Sequence, residues 1–210
     1  MWIIRFSLFA MLGALVGVFA WFLRDRRRYQ RILENKIANL LAVLTYNLLC
    51  YLIVVLPPAS DGIPPAAFMR STSVRYGFPV IGSTLVISGI ALAVTTAAKR
   101  KALGGRDVKA GLLTTGTYRY FRHPIYTGIV WVALGLPLIT RNLDGLLMFP
   151  LVQGLNIVQA VLEEKYDIGM RFREQYDAYK RTTRMLGPLG LWSTLVLVLF
   201  AIISIGIIGE

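Results

Sequence analysis

The 210-residue chain has one cysteine and one histidine, and its 11 acidic residues are outnumbered by 23 basic ones. A single cysteine excludes an internal disulfide. With Cys50 inside an apolar run and one histidine elsewhere, no Cys/His metal cluster can form from the sequence. Cys50 reads as a small packing residue. There is no internal repeat and no low-complexity tract. The chain also lacks a G-x-G-x-x-G turn, a phosphate-cradling G-x-x-x-x-G-K-[ST] loop and an H-E-x-x-H pair. It offers no Ser or Cys nucleophile with a second histidine. Any covalent chemistry must therefore be carried by a bound cofactor.

What the chain has in abundance is apolar sequence: 56% hydrophobic residues and a mean hydropathy of +0.60. Several runs approach the ~20 residues that cross a bilayer. Six spans are expected at Trp2–Leu23, Ile37–Leu56, Phe78–Ala98, Pro124–Thr140, Leu143–Leu162 and Leu189–Ile208. The fourth covers only about 25 Å. The fourth and fifth are also expected to be interrupted, at Pro137 and Pro150. The first run is too long for a signal peptide, no small-residue cleavage site follows it, and its basic cluster comes after it; it reads as an anchor.

The formal charge of +12 raises nucleic acid as a partner, and its distribution argues against that. Most of the basic residues fall after spans one, three and five, from Arg24 to Lys36, Lys99 to Arg122 and Lys165 to Arg184. Arg5, Arg70, Arg75 and Arg141 remain on the other side. This is the positive-inside bias, with attraction to anionic lipid beside it. It places the basic loops in the cytoplasm and both termini outside it. The expected fold is all-α: a polytopic helical membrane protein of about six transmembrane helices plus a cytoplasmic interfacial helix. It divides into a three-span anchor region (1–98), a functional region (99–187) and a last transmembrane helix (188–210). The Pro- and Gly-rich stretch Pro57–Tyr76 reads as an outside loop.

Polar residues concentrate in the second half. In "GLLTTGTYRYFRHPIYTG", Gly111–Gly128, Pro124 suits the first helical position, and His123 then stands at the N-cap with Arg122 just before it. Free N–H groups at such an end favour a carboxylate or other anion. The turn at Thr114–Gly116 brings the backbone back toward them. The bland alternative is a juxtamembrane loop with snorkelling arginines and a tyrosine belt. In the fifth span, Gln153, Asn156, Gln159, Glu163 and Glu164 fall within a sector of about 140°. Such a stripe either glues helices or walls a polar cavity. In Glu163–Met185, Phe172, Tyr176 and Tyr179 follow at i, i+4 and i+7, fitting a surface helix that caps the cavity.

These pieces in this order, over about Ala110–Pro188, resemble the isoprenylcysteine carboxyl methyltransferase family and its circle of small membrane methyltransferases, including phospholipid methyltransferases. The carrying residues are "LLTTGTYRYFRHPIYTG", the pair Glu163-Glu164, then Phe172, Tyr176 and Tyr179. The resemblance implies S-adenosylmethionine as cofactor, a lipophilic acceptor bearing a carboxylate, amine or hydroxyl, and no Rossmann domain. It implies that Gly111, Leu112, Leu113, Tyr118, His123, Pro124, Ile125, Tyr126 and Glu164 line the cofactor site. Glu163 is then the candidate proton acceptor, and Arg122 or Arg171 the candidate for holding an acceptor carboxylate. Three positions depart from the family pattern. Ala160 stands where prenylcysteine enzymes carry a substrate-binding arginine, Arg173 follows Phe172 where glycine is usual, and Thr183-Arg184 replaces Val-Pro. The same membrane core also resembles NADPH-dependent sterol- or isoprenoid-type reductases. A non-catalytic lipid-binding protein is the third reading left open.

Overall fold

The computed structural model describes residues 2–25, 31, 35–56, 72–100 and 111–187. The expected sixth span, Leu189–Ile208, and most of the Pro57–Tyr76 loop lie outside them. Every regular element among the described residues is helical. Helix α1 is Trp2–Arg24, α2 Lys36–Val55, α3 Thr72–Arg100, α4 Pro124–Thr140, α5 Leu143–Glu163 and α6 Gly169–Thr182. A short 3-10 turn, Gly116–Arg119, precedes α4, and a π-helical turn, Glu164–Ile168, joins α5 to α6.

Local chemistry sets the ends. Asn35 caps α2 by accepting hydrogen bonds from the N–H groups of Ile37 and Ala38, both 3.1 Å. Asn142 does the same for α5 at Gly145, 3.1 Å. Pro124 occupies the first position of α4, as its lack of an N–H favours. Thr72–Tyr76 are the first residues of α3 rather than the end of a loop. Pro79, inside the expected third span, lies within the helix. The helices also run through Pro137 and Pro150 rather than breaking there. Neighbouring helices compensate a lost backbone bond, so proline interrupts membrane helices less than soluble ones.

Three helical runs are long and apolar enough to cross a membrane: Ile3–Arg24, Arg75–Arg100 and the continuous Leu143–Thr182. Leu40–Val55 and Pro124–Thr140 are shorter apolar helices. Only 11% of the apolar window of α3 is buried, so its Ile87, Ile90 and Val94 face outward, as suits lipid rather than water.

The core is built from α1, α2, α4 and α5: Leu12 and Val16, Tyr46 to Val54, Val130 to Leu138, and Leu146 to Val152. Helix α3 packs along α4. There the two backbones touch at Gly82 with Gly135 and at Gly89 with Gly128; a Cβ at any of the four would lie 2.5–2.6 Å from the facing carbonyl oxygen. This is the small-residue packing that brings membrane helices close. At one end of the bundle, Arg5 of α1 is wholly buried. It bonds Asp144 of α5 (2.9 Å) and the carbonyls of Ile53 (3.2 Å) and Leu56. Asn142 donates to the carbonyls of Val54 and Leu56, the second of them shared with Arg5. The basic ends of α1 and α3 lie at the opposite end, and the candidate site lies with them.

Candidate functional site

Gly116, at φ 67°, makes the turn that starts the 3-10 segment and carries Tyr118 inward. The chain then enters α4 through Arg122 and His123, whose backbone N–H groups bond the carbonyls of Arg184 (2.8 Å) and Met185 (2.9 Å). The N–H groups just before α4 are thus occupied by the returning chain. Gly187 closes against Thr127, its N–H donating to Oγ1 at 3.0 Å. Tyr179 of α6 donates its hydroxyl hydrogen bond to the carbonyl of Tyr118.

Six ionisable side chains meet at this knot. Arg122 Nε donates to Glu164 Oε1 at 2.9 Å and Nη2 to Oε2 at 3.5 Å; its Nη1 bonds the carbonyls of Lys180 (3.2 Å) and Thr183. His123 Nε2 lies 3.1 Å from Glu164 Oε1, and its Nδ1 lies 3.7 Å from Glu163 Oε2. Lys180 reaches Glu164 Oε2 at 3.4 Å, and Arg100 reaches Glu163 Oε1 at 3.8 Å. Burial disfavours the charged form of Glu164. The facing Arg122 guanidinium and His123 ring offset that cost.

Two clefts flank the knot. The first, of about 450 Å³, is lined by Gly111, Leu112, Leu113, Tyr118, Arg122 and the aromatic rings of α6. Phe172, Tyr176 and Tyr179 all reach it, with Arg171 at its edge, 2.9 Å from Asp167. The Tyr176 hydroxyl is buried beside Glu164 without a hydrogen bond of good geometry. The second cleft, of about 1300 Å³, opens between α1, α2, α4 and α5. Its walls are apolar (Phe19, Phe22 and Ile129 among them), and its charged end holds His123 and Glu163. Tyr118 and Arg100 line both clefts.

The residues singled out in the sequence therefore divide. Gly111, Leu112, Leu113, Tyr118 and Arg122 line the polar cleft. His123, Pro124, Ile125, Tyr126 and Glu163, with Tyr118 again, line the apolar one. Glu164 lines neither; it sits between them and holds Arg122 and His123. The amide stripe of α5 divides too. Asn156 accepts from the Tyr46 hydroxyl at 2.9 Å and serves as helix glue, whereas Gln159 faces the apolar cleft. Arg100 was missed, since in sequence it is one basic residue among the topology charges.

The sequence placed Phe172, Tyr176 and Tyr179 on one helical face. The backbone leaves helical values between them, at Arg173 (φ 40°, ψ −117°). All three still converge on the first cleft.

Apolar helices surrounding two adjoining clefts, one ringed by arginines and tyrosines and the other walled by apolar side chains, define a helical membrane protein. Residues 79–174 match the model of the phospholipid methyltransferase family, which bears out the membrane-methyltransferase family read from the sequence. The match runs from within α3 to just past Arg173. It includes Arg100, Arg122, His123, Glu163 and Glu164. No curated protein and no solved structure matches the chain. The family implies methyl transfer at a membrane.

Proposed function

We propose that the protein is an integral-membrane methyltransferase that moves a methyl group from S-adenosylmethionine to a lipophilic acceptor. The supporting observation is the pair of clefts that share Tyr118 and Arg100. The polar cleft suits the cofactor. Its aromatic rings can pack on adenine or face a cationic sulfonium, Arg122 and Arg171 stand where a carboxylate would be held, and the buried Tyr176 hydroxyl is left to bond a ligand. The apolar cleft suits a hydrocarbon tail, with the head of the acceptor beside His123 and Glu163.

S-adenosylmethionine supplies an activated methyl group. What this chain supplies is position and desolvation: two bound molecules meet at one fixed point shielded from bulk water. Arg122 acts through Glu164, which fixes the α4 entrance between the clefts. Glu163, at the head of the apolar cleft, is the residue placed to accept a proton. The basic ends of the helices favour a cytoplasmic side for this end of the bundle, and on that reading the cofactor arrives from the cytoplasm and the acceptor from the lipid.

Calorimetry of detergent-purified protein with S-adenosylhomocysteine tests this, with NADPH in a parallel titration. Micromolar heat from S-adenosylhomocysteine alone is expected. Heat from NADPH alone would make the protein a reductase. Silence from both, with the fold verified, would make it a non-catalytic binder.

A further inference from the structure

The apolar cleft narrows along its length. On one face of α2, Val43, Tyr46, Cys50 and Ile53 follow at i, i+3, i+7 and i+10, and their exposure falls from 44% to 6% and then to zero. Helix α1 repeats the gradient. Phe19 is half-buried and lines the cleft; Leu12, seven residues back on the same face, is wholly buried. The two helices therefore stand away from α4 and α5 at the His123 end. They close on them toward the other end, where Arg5 and Asn142 tie the bundle. The cleft is a wedge, and its point is a bond between the two sides. The Tyr46 hydroxyl of α2 donates to Asn156 Oδ1 of α5 at 2.9 Å, and Asn156 Nδ2 donates to the Val152 carbonyl at 3.0 Å. Tyr46 lines the cleft, and Asn156 lies behind it with no exposed surface.

Resting on the methyltransferase reading, we propose that Tyr46, braced by Asn156, ends the pocket for the acceptor's tail and so sets how much hydrocarbon the protein takes in. The charged end of the cleft holds His123 and Glu163, so a tail bound there runs toward Tyr46. Along α5, Glu163 and Asn156 are seven residues apart, about 10 Å. The hydrocarbon of one bilayer leaflet is about 15 Å deep. A stretched acyl chain is thus longer than the wedge, and the part that finds no room turns back to the mouth. Two features make the stop firm. The next residues along that face of α2, Cys50 and Ile53, belong to the buried core. Swinging Tyr46 aside would also leave the Asn156 oxygen without a donor in a buried place. Helices α1 and α2 lie outside residues 79–174, so the limit belongs to a part of the chain that the family model does not cover.

A series of straight-chain alcohols of increasing length, each with a diazirine at the end of its tail, tests the limit in phosphatidylcholine nanodiscs without cofactor. Irradiation and peptide mapping read the deepest residue labelled. Short chains are expected to mark the walls at Phe19 and Ile129, and longer ones Tyr46, with nothing deeper however long the chain. In Tyr46→Ala the label of the longer chains should shift by one helical turn, to Cys50. Label at Cys50 or Ile53 in the wild-type protein would overturn the proposal. So would label confined to the outward-facing Ile87, Ile90 and Val94 of α3, and neither result needs a variant that folds. A folded Tyr46→Ala that keeps the wild-type limit would remove Tyr46 as the stop. Calorimetry with S-adenosylhomocysteine runs beside the labelling. A limit at Tyr46 in a protein that binds no S-adenosylhomocysteine would keep the tail pocket and sink the methyltransferase reading. Binding without the limit would sink the proposal and leave that reading standing.

Discussion

At the scale of single residues, Arg173 is the most exposed to test. Its φ of 40° belongs to the region that glycine alone occupies without strain, and the resemblance read from the sequence expects glycine there. The side chain is exposed, so its removal sacrifices no buried contact. Arg173→Gly is expected to stabilise the protein by about 1 kcal/mol, seen as a rise in melting temperature in detergent. No rise would mean that the bend relaxes in the membrane-bound protein. The departure from the family pattern was visible in sequence, but the backbone angle that gives it meaning was not.

At the scale of helices, the contact between α3 and α4 depends on four glycines. Gly82 and Gly89 on one helix, and Gly128 and Gly135 on the other, repeat at seven residues and meet in pairs. A left-handed crossing returns the same face at that spacing. Gly128→Val would push a side chain into the Gly89 carbonyl and is expected to cost about 2 kcal/mol. A denaturant titration in detergent measures the loss. With α3 displaced, Arg100 leaves both clefts, so cofactor affinity should fall with stability. Unchanged affinity in a folded variant would remove Arg100 from the site. The helix bounds themselves were largely legible: α1, α2, α4 and α5 each begin and end within a residue or so of the apolar runs. Helix α3 was legible in part: it starts at Thr72, inside the stretch read as a loop, rather than at Phe78.

For the whole molecule, the two ends of the bundle carry different chemistry. At one end the Arg5–Asp144 pair and Asn142 tie α1, α5 and the carboxy-terminal carbonyls of α2. Removing one partner leaves a buried charge, so Asp144→Ala is expected to cost about 3–5 kcal/mol. The double replacement Arg5→Met with Asp144→Leu should recover most of that loss, as thermal unfolding would show. A double variant no more stable than Asp144→Ala would mean that the Arg5 bonds to Ile53 and Leu56 hold the end together by themselves.

Hydrophobicity and charge act locally, so the sequence alone determined that the chain is helical, that it belongs in a membrane, and where its helices run. A cluster as compact as Arg122-His123-Pro124, followed by Glu163-Glu164, was also enough to mark the family and to single out a candidate site. Which carboxylate faces which cleft depends on the angle at which α5 meets α4. Adjacent residues on a helix point about 100° apart, so Glu163 turns to the apolar cleft while Glu164 turns to Arg122 and His123. Arg5 with Asp144, and Arg100 with the two clefts, are likewise pairings across many residues of chain. Only the packed structure decided them, because they are contacts between helices that no local pattern records.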